Sequence, residues 1–546
     1  MLPLDFLLCL GPTIGFIEEN VARGPAKASK LTRKLPIRPT VFVRETTGLT
    51  KRVSLFDAVA INVSYMSVGP ALALVGYTII ALPTVSGVNL VLGSAIAALL
   101  AIPQAIVYTM LSRRISRTGG DYVWISRSLG GFVGSIMTFT GITLETMPYL
   151  ALIALSAVFA IGSVGVALGY SNMLGLALPG NVLGGDPLSQ FLLASSLLVI
   201  LIAINIIRPR LGFKIISVFW VIGIIAMAVA ILALLNAGTA GVERYVDGLG
   251  VANLTYTSVA NSYSGPTFDL RPTLLMMPYF ALFTYPWFNA APSVGSELQG
   301  NAPRWNVPIS LAFAFLIVTV PFAAMYYAAG FQFTTAAFAN SALVYDHSFN
   351  FWTLAMGVSG NFAEEFLIGL GWVVLTVAIL AFGIITISRY MLAQAFDRFL
   401  PSKLAYVSPK YGSPIVAHLV DLVITVFLIG LAAFLYGTIS SLYGVLVASM
   451  VYFALVGVGA MVYAFKREKG WTKVSLATAG VLQTLVFAYL TYGFLEYPNI
   501  WGGNRLAYGY IAVSLVLSVV IYGVASYVRA REGMSISLAF KEIPPE

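Results

Sequence analysis

Polar residues are rare in this chain, and the informative ones gather at a few points inside apolar stretches. Between residues 54 and 80, Asn62, Ser64, Tyr65, Ser67, Gly69 and Pro70 fall within nine positions, with Met66 among them. Pro70 brings no N–H and crowds the carbonyl four residues back, and Gly69 adds backbone freedom, so a helix over 54–80 is expected to break around Ser64–Gly69. A second stretch, 272–296, is interrupted by Pro278, Pro286 and Pro292, with its break expected at Leu282, Phe283, Thr284, Tyr285, Pro286 and Trp287. Backbone N–H and C=O groups released at such breaks can bind: the N-terminus of a half-helix favours an anion, and exposed carbonyls favour a cation. The chemistry on offer is recognition of a small zwitterion or amine, with no bond made or broken. One carboxylate, Glu145, is read as lying deep in an apolar stretch, with Pro148 three residues on. A charge there costs roughly 3 kcal/mol or more, so it is protonated, paired or facing water. It is open whether Glu145 carries a proton, forms a polar wall, or is a neutral acid bonded to a neighbouring helix. Asn62 carbonyls with hydroxyls of Thr386 and Ser388, and of Thr376, could ligate Na⁺ through oxygen; equally, those hydroxyls can bond back to their own helix.

The elements that must position these groups are transmembrane helices. Of 546 residues, 59% are hydrophobic and 10% charged, with mean hydropathy +0.88. Soluble domains carry roughly 25% charged residues, and a membrane barrel would show short alternating segments. The expected fold is an all-α polytopic membrane protein. Twelve spans of about 20 residues or more are expected at 54–80, 88–112, 131–162, 190–207, 212–237, 272–296, 307–331, 365–397, 415–436, 442–465, 473–493 and 507–529. With the N-terminus inside, every Lys and Arg except Arg244, Arg271 and Arg505 falls on one side of this arrangement. That bias never inverts, so both termini are expected in the cytoplasm and the chain in the plasma membrane.

Other classes are disfavoured by what is missing. A single cysteine, Cys9, excludes an internal disulfide framework, and two histidines, His347 and His418, disfavour a histidine metal site. No Gly-x-x-x-x-Gly-Lys loop is present, so no ATPase is built in and no cofactor is expected. The net charge of +9 resides in one-sided loops, which gives no reason to expect nucleic acid; the partners are the lipid bilayer and a small solute. Residues 1–53 read as a basic cytoplasmic tail whose first sixteen residues are an interfacial segment or precede the true start. Residues 238–271 and 332–363 read as outer loops with short capping elements, and 530–546 as a cytoplasmic tail. Asn253-Leu254-Thr255 is a glycosylation triplet on the outer side.

Breaks in spans one and six, five spans apart, are the pattern of a five-plus-five inverted repeat whose halves each open with a discontinuous helix. Residues 54–237 would form the first repeat and 272–436 the second, continuing into helix ten, with helices ten to twelve over 437–529. Three stretches resemble the amino acid–polyamine–organocation superfamily. They are Gly119–Gly131, GGDYVWISRSLGG; 283–308, with its aromatic break, Glu297 and an Asn-x-Pro turn onward to Asn306 and Pro308; and 388–417, with Arg389, Asp397, Leu400-Pro401 and Gly412-x-Pro414. The resemblance spans roughly 45–530 and implies ten core helices plus two peripheral ones. Arg389 and Asp397 read as a charge network at the inner end. The family's Gly-Ser-x-x-Gly-x-Gly break appears here as Val63-Ser64-Tyr65-Met66-Ser67-Val68-Gly69, two glycines short, and span five lacks the lysine that replaces a coupling cation in some members. The implied function is a secondary transporter of amino acids or related amines, driven by H⁺ or working by exchange, and not an enzyme. The alternatives are a Na⁺ symporter of the same fold, a carrier of another organic solute, a channel, or a membrane sensor.

Overall fold

The computed structural model describes residues 49, 51–169, 186–251, 254–436, 439–533 and 535–541. They lie within the compact unit Val41–Glu546. The basic tail before Leu49, Cys9, and Asn253 of the glycosylation triplet lie outside the described residues. The described residues are almost entirely helical and contain no strand beyond two isolated bridges. Eleven of their helices are long and apolar enough to cross a membrane. The stretch expected as span six is a chain of short helices, Leu270–Leu275, Met277–Phe283 and Ala290–Ser293, so it falls outside that count.

The broken elements form the centre. In their most apolar windows, span one, Leu55–Ile80, is wholly buried and spans three and eight nearly so, whereas Arg505–Arg531 at the periphery is 11% buried. An all-round hydrophobic helix packs inward, and one with a large lipid-facing surface lies outside. Ser54 caps the first helix reciprocally with Asp57, fixing where the membrane segment begins.

Several boundaries differ from the sequence reading. The break in span one is narrower than Ser64–Gly69. Leu55–Tyr65 ends at Met66, Ser67 alone takes the left-handed conformation (φ 49°), and Val68–Ile80 follows. Pro70 sits in the first turn of the second half-helix, where no N–H is needed. Gly238 (φ 54°, ψ −165°) does end the regular part of span five, but the chain then re-forms helix to Asp247, burying Val242 and Val246 four residues apart, where loop was expected. Asn306 and Pro308 lie inside the helix Ala302–Ala329, and the turn falls earlier, at Gly300 and Asn301. The outer stretch 332–363 holds the short helices Phe331–Ala339 and Phe351–Gly357.

Gly69 has a packing role. A Cβ there would meet Thr376 Oγ1 at 2.8 Å and its backbone N at 3.2 Å. The second half of span one thus touches span eight backbone to backbone at this point. Gly69→Ala is expected to cost about 1–3 kcal/mol through overpacking. The double variant Gly69→Ala/Thr376→Ala should recover part of that loss, read as the thermal midpoint of the detergent-purified protein.

Candidate functional site

Spans one and six are broken at the centre and span three carries a π-turn there; proline sets the pattern in spans three and six. In span six, Pro286 offers no N–H to the Leu282 carbonyl; the Trp287 indole donates to it instead at 3.0 Å. In span three, a π-turn at Phe139–Thr143 is followed by Leu144 and Glu145, which keep helical dihedrals, and by the helix Thr146–Ala167. Pro148 leaves the Leu144 carbonyl without its helical donor, and Tyr510 supplies one at 2.6 Å. The Gly141 carbonyl, in the π-turn, accepts from Ser449 at 2.8 Å. The same substitution recurs further out: Pro278 frees the Leu274 carbonyl, which accepts from Tyr489 at 3.2 Å. Buried backbone groups must be paired in a membrane, so each proline is matched by an aromatic or hydroxyl donor from elsewhere.

The break in span one is held differently. Ser67 stands at the second glycine position of the Gly-Ser-x-x-Gly-x-Gly pattern and keeps a glycine-like backbone, a conformation that costs a non-glycine residue about 1–3 kcal/mol. Its hydroxyl is tied to the Tyr149 hydroxyl of span three. The Met66 and Ser67 amides are engaged with Asn62 and Ser64 carbonyls, so the amide donors expected across Ser64–Gly69 reduce to the first turn after Ser67.

At this junction the rings of spans one, three, six, eight and ten meet. Tyr65 lies edge-on to Trp287 (5.5 Å), Tyr149 (6.3 Å) and Phe382 (5.9 Å), Tyr149 stacks on Trp287 at 5.5 Å, and Phe453 closes on Trp287 at 5.7 Å. Beside the rings are buried polar atoms with no partner in hydrogen-bond geometry: Ser64 Oγ, the Tyr65 hydroxyl, both Glu145 carboxyl oxygens and Asn289 Oδ1. The Ser449 hydroxyl near Glu145 and the Thr146 hydroxyl near Tyr65 donate to the Gly141 and Ile142 carbonyls instead. Glu145 is close enough to Tyr65 and Tyr149 to interact electrostatically with both. An unpaired buried polar atom costs roughly 1–3 kcal/mol, and such atoms in a native fold call for an explanation. Their grouping beside an aromatic cluster marks this junction as the candidate site.

Not every expected residue joins it. Tyr285 turns sideways to bond Ser94 (2.7 Å), which in turn bonds Thr319 (2.8 Å). Phe283 packs on Tyr279 and Tyr443, Thr284 bonds back to Phe280, and the Leu282 carbonyl is taken. Met66 is buried at the end of the first half-helix. For the cation candidates, the Asn62 amide donates to Asn306 Oδ1 (3.2 Å) and its oxygen accepts from the Ala291 amide (2.8 Å), so it braces the break in span six. Thr376, Thr386 and Ser388 donate to Trp372, Phe382 and Ile385 carbonyls of their own helix.

Polar layers lie on either side of the junction. Towards the end where residue 53 enters, Arg389 pairs with Glu297 through two bonds (2.9 and 3.3 Å), both side chains buried. Arg127 pairs with Asp397, which also accepts from Tyr122 at 2.8 Å. Backbone bridges join Val53 to Leu298 and Thr118 to Val294. Asp121 accepts from Tyr108 and Tyr390, each at 2.5 Å, and Asn289 donates to Tyr390. Towards the other end, Trp352 donates to the Gly69 carbonyl at 3.1 Å and Tyr279 to that of Ala71. Sequence reasoning missed Tyr149, Phe382, Phe453, Asn289 and Tyr390, whose meeting depends on helix packing. It also missed a signal that was present. Glu145 is not the sole deep carboxylate, because Asp421 in span nine, within HLVDLVITV, is fully buried, as is His418.

Among known families, the sequence profile described as amino acid permease matches residues 53–525, which covers both breaks, the π-turn and both polar layers.

Proposed function

We propose, from the premise that this chain belongs to the amino acid permease family and is a multi-pass membrane transporter, that it carries amino acids or related amines by alternating access, with the junction of spans one, three and six as the binding region. The observation that carries this reading is the set of unpaired buried polar atoms, Glu145 foremost, beside the rings of Tyr65, Tyr149 and Trp287. An ammonium group suits that setting: a carboxyl oxygen takes its charge, and a ring face contributes about 0.5–2 kcal/mol by cation–π attraction. Ser64 and the first-turn amides after Ser67 would receive a carboxylate. The interrupted span six counts as the twelfth crossing, spans one to five and six to ten as the two inverted repeats, and both termini as cytoplasmic. Polar layers on both sides of the binding region must then open in turn.

The coupling ion is proposed to be H⁺, or transport to be exchange. The side chain of Asn62 is committed to Asn306 and Ala291 and so braces span six instead of facing a cation. In proteoliposomes, uptake of a panel of amino acids and amines should respond to an imposed pH gradient and ignore a Na⁺ gradient. Glu145→Gln should lower uptake of cationic substrates about tenfold, the equivalent of about 1.4 kcal/mol, and abolish the pH response. Unchanged uptake, selectivity and pH dependence in that variant would make Glu145 structural; accumulation driven by Na⁺ alone would replace the proton.

A further inference from the structure

A cavity of about 420 Å³ opens between the beginning of span six and the end of span eleven, Gly470–Glu496. Asp269, Arg271, Tyr489, Tyr492, Tyr497 and Trp501 line it, together with Leu274 and Pro278. Its volume lies in the range of small-molecule sites, roughly 300–1,000 Å³. Leu298, after the other end of span six, bridges to Val53, so the cavity lies at the opposite face of the membrane. Span eleven ends here as span six begins, and tyrosine and tryptophan gather at that depth, where lipid headgroups meet water.

The charges of the cavity are available to a partner. The Arg271 backbone amide donates to Asp269 Oδ1 at 3.0 Å, but the exposed Arg271 guanidinium makes no hydrogen bond or ion pair among the described residues. The Asp269 carboxylate, also exposed, caps the short helix Leu270–Leu275. A cation and an anion two residues apart, with aromatic rings around them, complement a zwitterion. The guanidinium suits a phosphate, and a carboxylate with tyrosine and tryptophan rings suits an ammonium group. The bilayer, and not the transport path, is the source of that zwitterion. Span eleven lies outside the ten helices of the proposed repeats, and Leu270, Tyr489 and Tyr492 at the cavity are 53%, 40% and 58% exposed. Further along the same two helices is a smaller recess of about 30 Å³ that reaches Pro286, bordered by Met277, Ala281, Val486 and Leu490. A polar pocket at the membrane edge with an apolar recess beneath it matches the two-part chemistry of a phospholipid.

We propose that this cavity binds a zwitterionic phospholipid, with its phosphate on Arg271, its ammonium group beside Asp269 and the tyrosine rings, and an acyl chain along the seam of spans six and eleven. Bound there, the lipid bridges the first part of span six, whose Leu274 carbonyl already takes its hydrogen bond from Tyr489, to a span outside the repeats. Its bearing on alternating access rests on the transport reading above; the site itself does not.

Native mass spectrometry of the detergent-purified full chain, with phosphatidylethanolamine or phosphatidylglycerol added, tests the site without any transported substrate. Wild type should retain phosphatidylethanolamine about tenfold more strongly than phosphatidylglycerol, which has no ammonium group. Arg271→Gln should weaken retention of both lipids about tenfold through loss of the charge-assisted phosphate contact. Asp269→Asn, which can still cap its helix, should erase the preference between them. Both side chains are exposed, so these variants leave the packed core untouched. Equal retention of the two lipids by wild type, or retention unchanged in Arg271→Gln, would mark an annular lipid only and overturn the proposal. Displacement of the lipid by an equal concentration of soluble phosphoethanolamine would also overturn it, since the ligand would then come from water. Retention as expected, with no counterflow in phosphatidylethanolamine vesicles, would instead refute the transport reading and leave the site standing.

Discussion

Arg389→Ala is expected to destabilise the protein by about 3–5 kcal/mol, because it leaves Glu297 buried without its partner. Arg389 reaches Glu297 from span eight, while the Glu297 backbone carbonyl receives the Arg52 and Val53 amides at 2.9 Å each. One residue thus fastens the segment before span one, the end of span six and span eight. The loss should appear as a lowered thermal midpoint and as opening of this face. With Cys9→Ser as background, a cysteine introduced at the buried Ser293 should label faster in the Arg389→Ala variant. Buried ion pairs exchanged for apolar residues of similar volume are often neutral or better, so Arg389→Met/Glu297→Leu should recover the midpoint. Failure of that double variant to recover would mean that the pair does more than close the layer.

Trp287→Phe separates the two tasks of that residue. The ring keeps most of its contacts with Tyr65, Tyr149 and Phe453, but the indole N–H is lost and the Leu282 carbonyl is left unpaired at a cost of about 1–3 kcal/mol. Adding Pro286→Ala returns an N–H that can serve Leu282 and let the helix run on. The double variant should regain thermal stability and stay at about a tenth of wild-type uptake or less, because the break that forms the proposed binding region is gone. Restored uptake in the double variant would show that the interruption of span six is dispensable.

Much of the fold could be read from the chain because membrane spans are written locally. Each needs a continuous apolar run, and the one-sided Lys and Arg residues order the runs without knowledge of packing. The breaks in spans one and six were legible through Pro70, Pro278 and Pro286, which act on their own backbone. The π-turn before Glu145 was harder: Pro148 is a single proline, and the turn itself leaves no compositional mark. The left-handed Ser67 was hidden for a related reason, since its hydroxyl bond to Tyr149 joins residues 82 positions apart. Pairings such as Asn62 with Asn306 and Asp121 with Tyr390 are likewise set by how helices face one another. Asp421 was legible as a charged residue six positions into an apolar run, whereas its bond to Thr425 joins neighbours only on a helix face.

The central claim is that the junction of spans one, three and six binds a small solute that is carried across the membrane by alternating access. Counterflow in proteoliposomes tests it most directly. Vesicles loaded with an unlabelled amino acid or amine, and given a trace of labelled substrate outside, should accumulate label transiently above its equilibrium level, and Trp287→Phe should diminish that overshoot. Label that only equilibrates, at a rate indifferent to the internal load, would show a channel or no transport at all and would contradict the account.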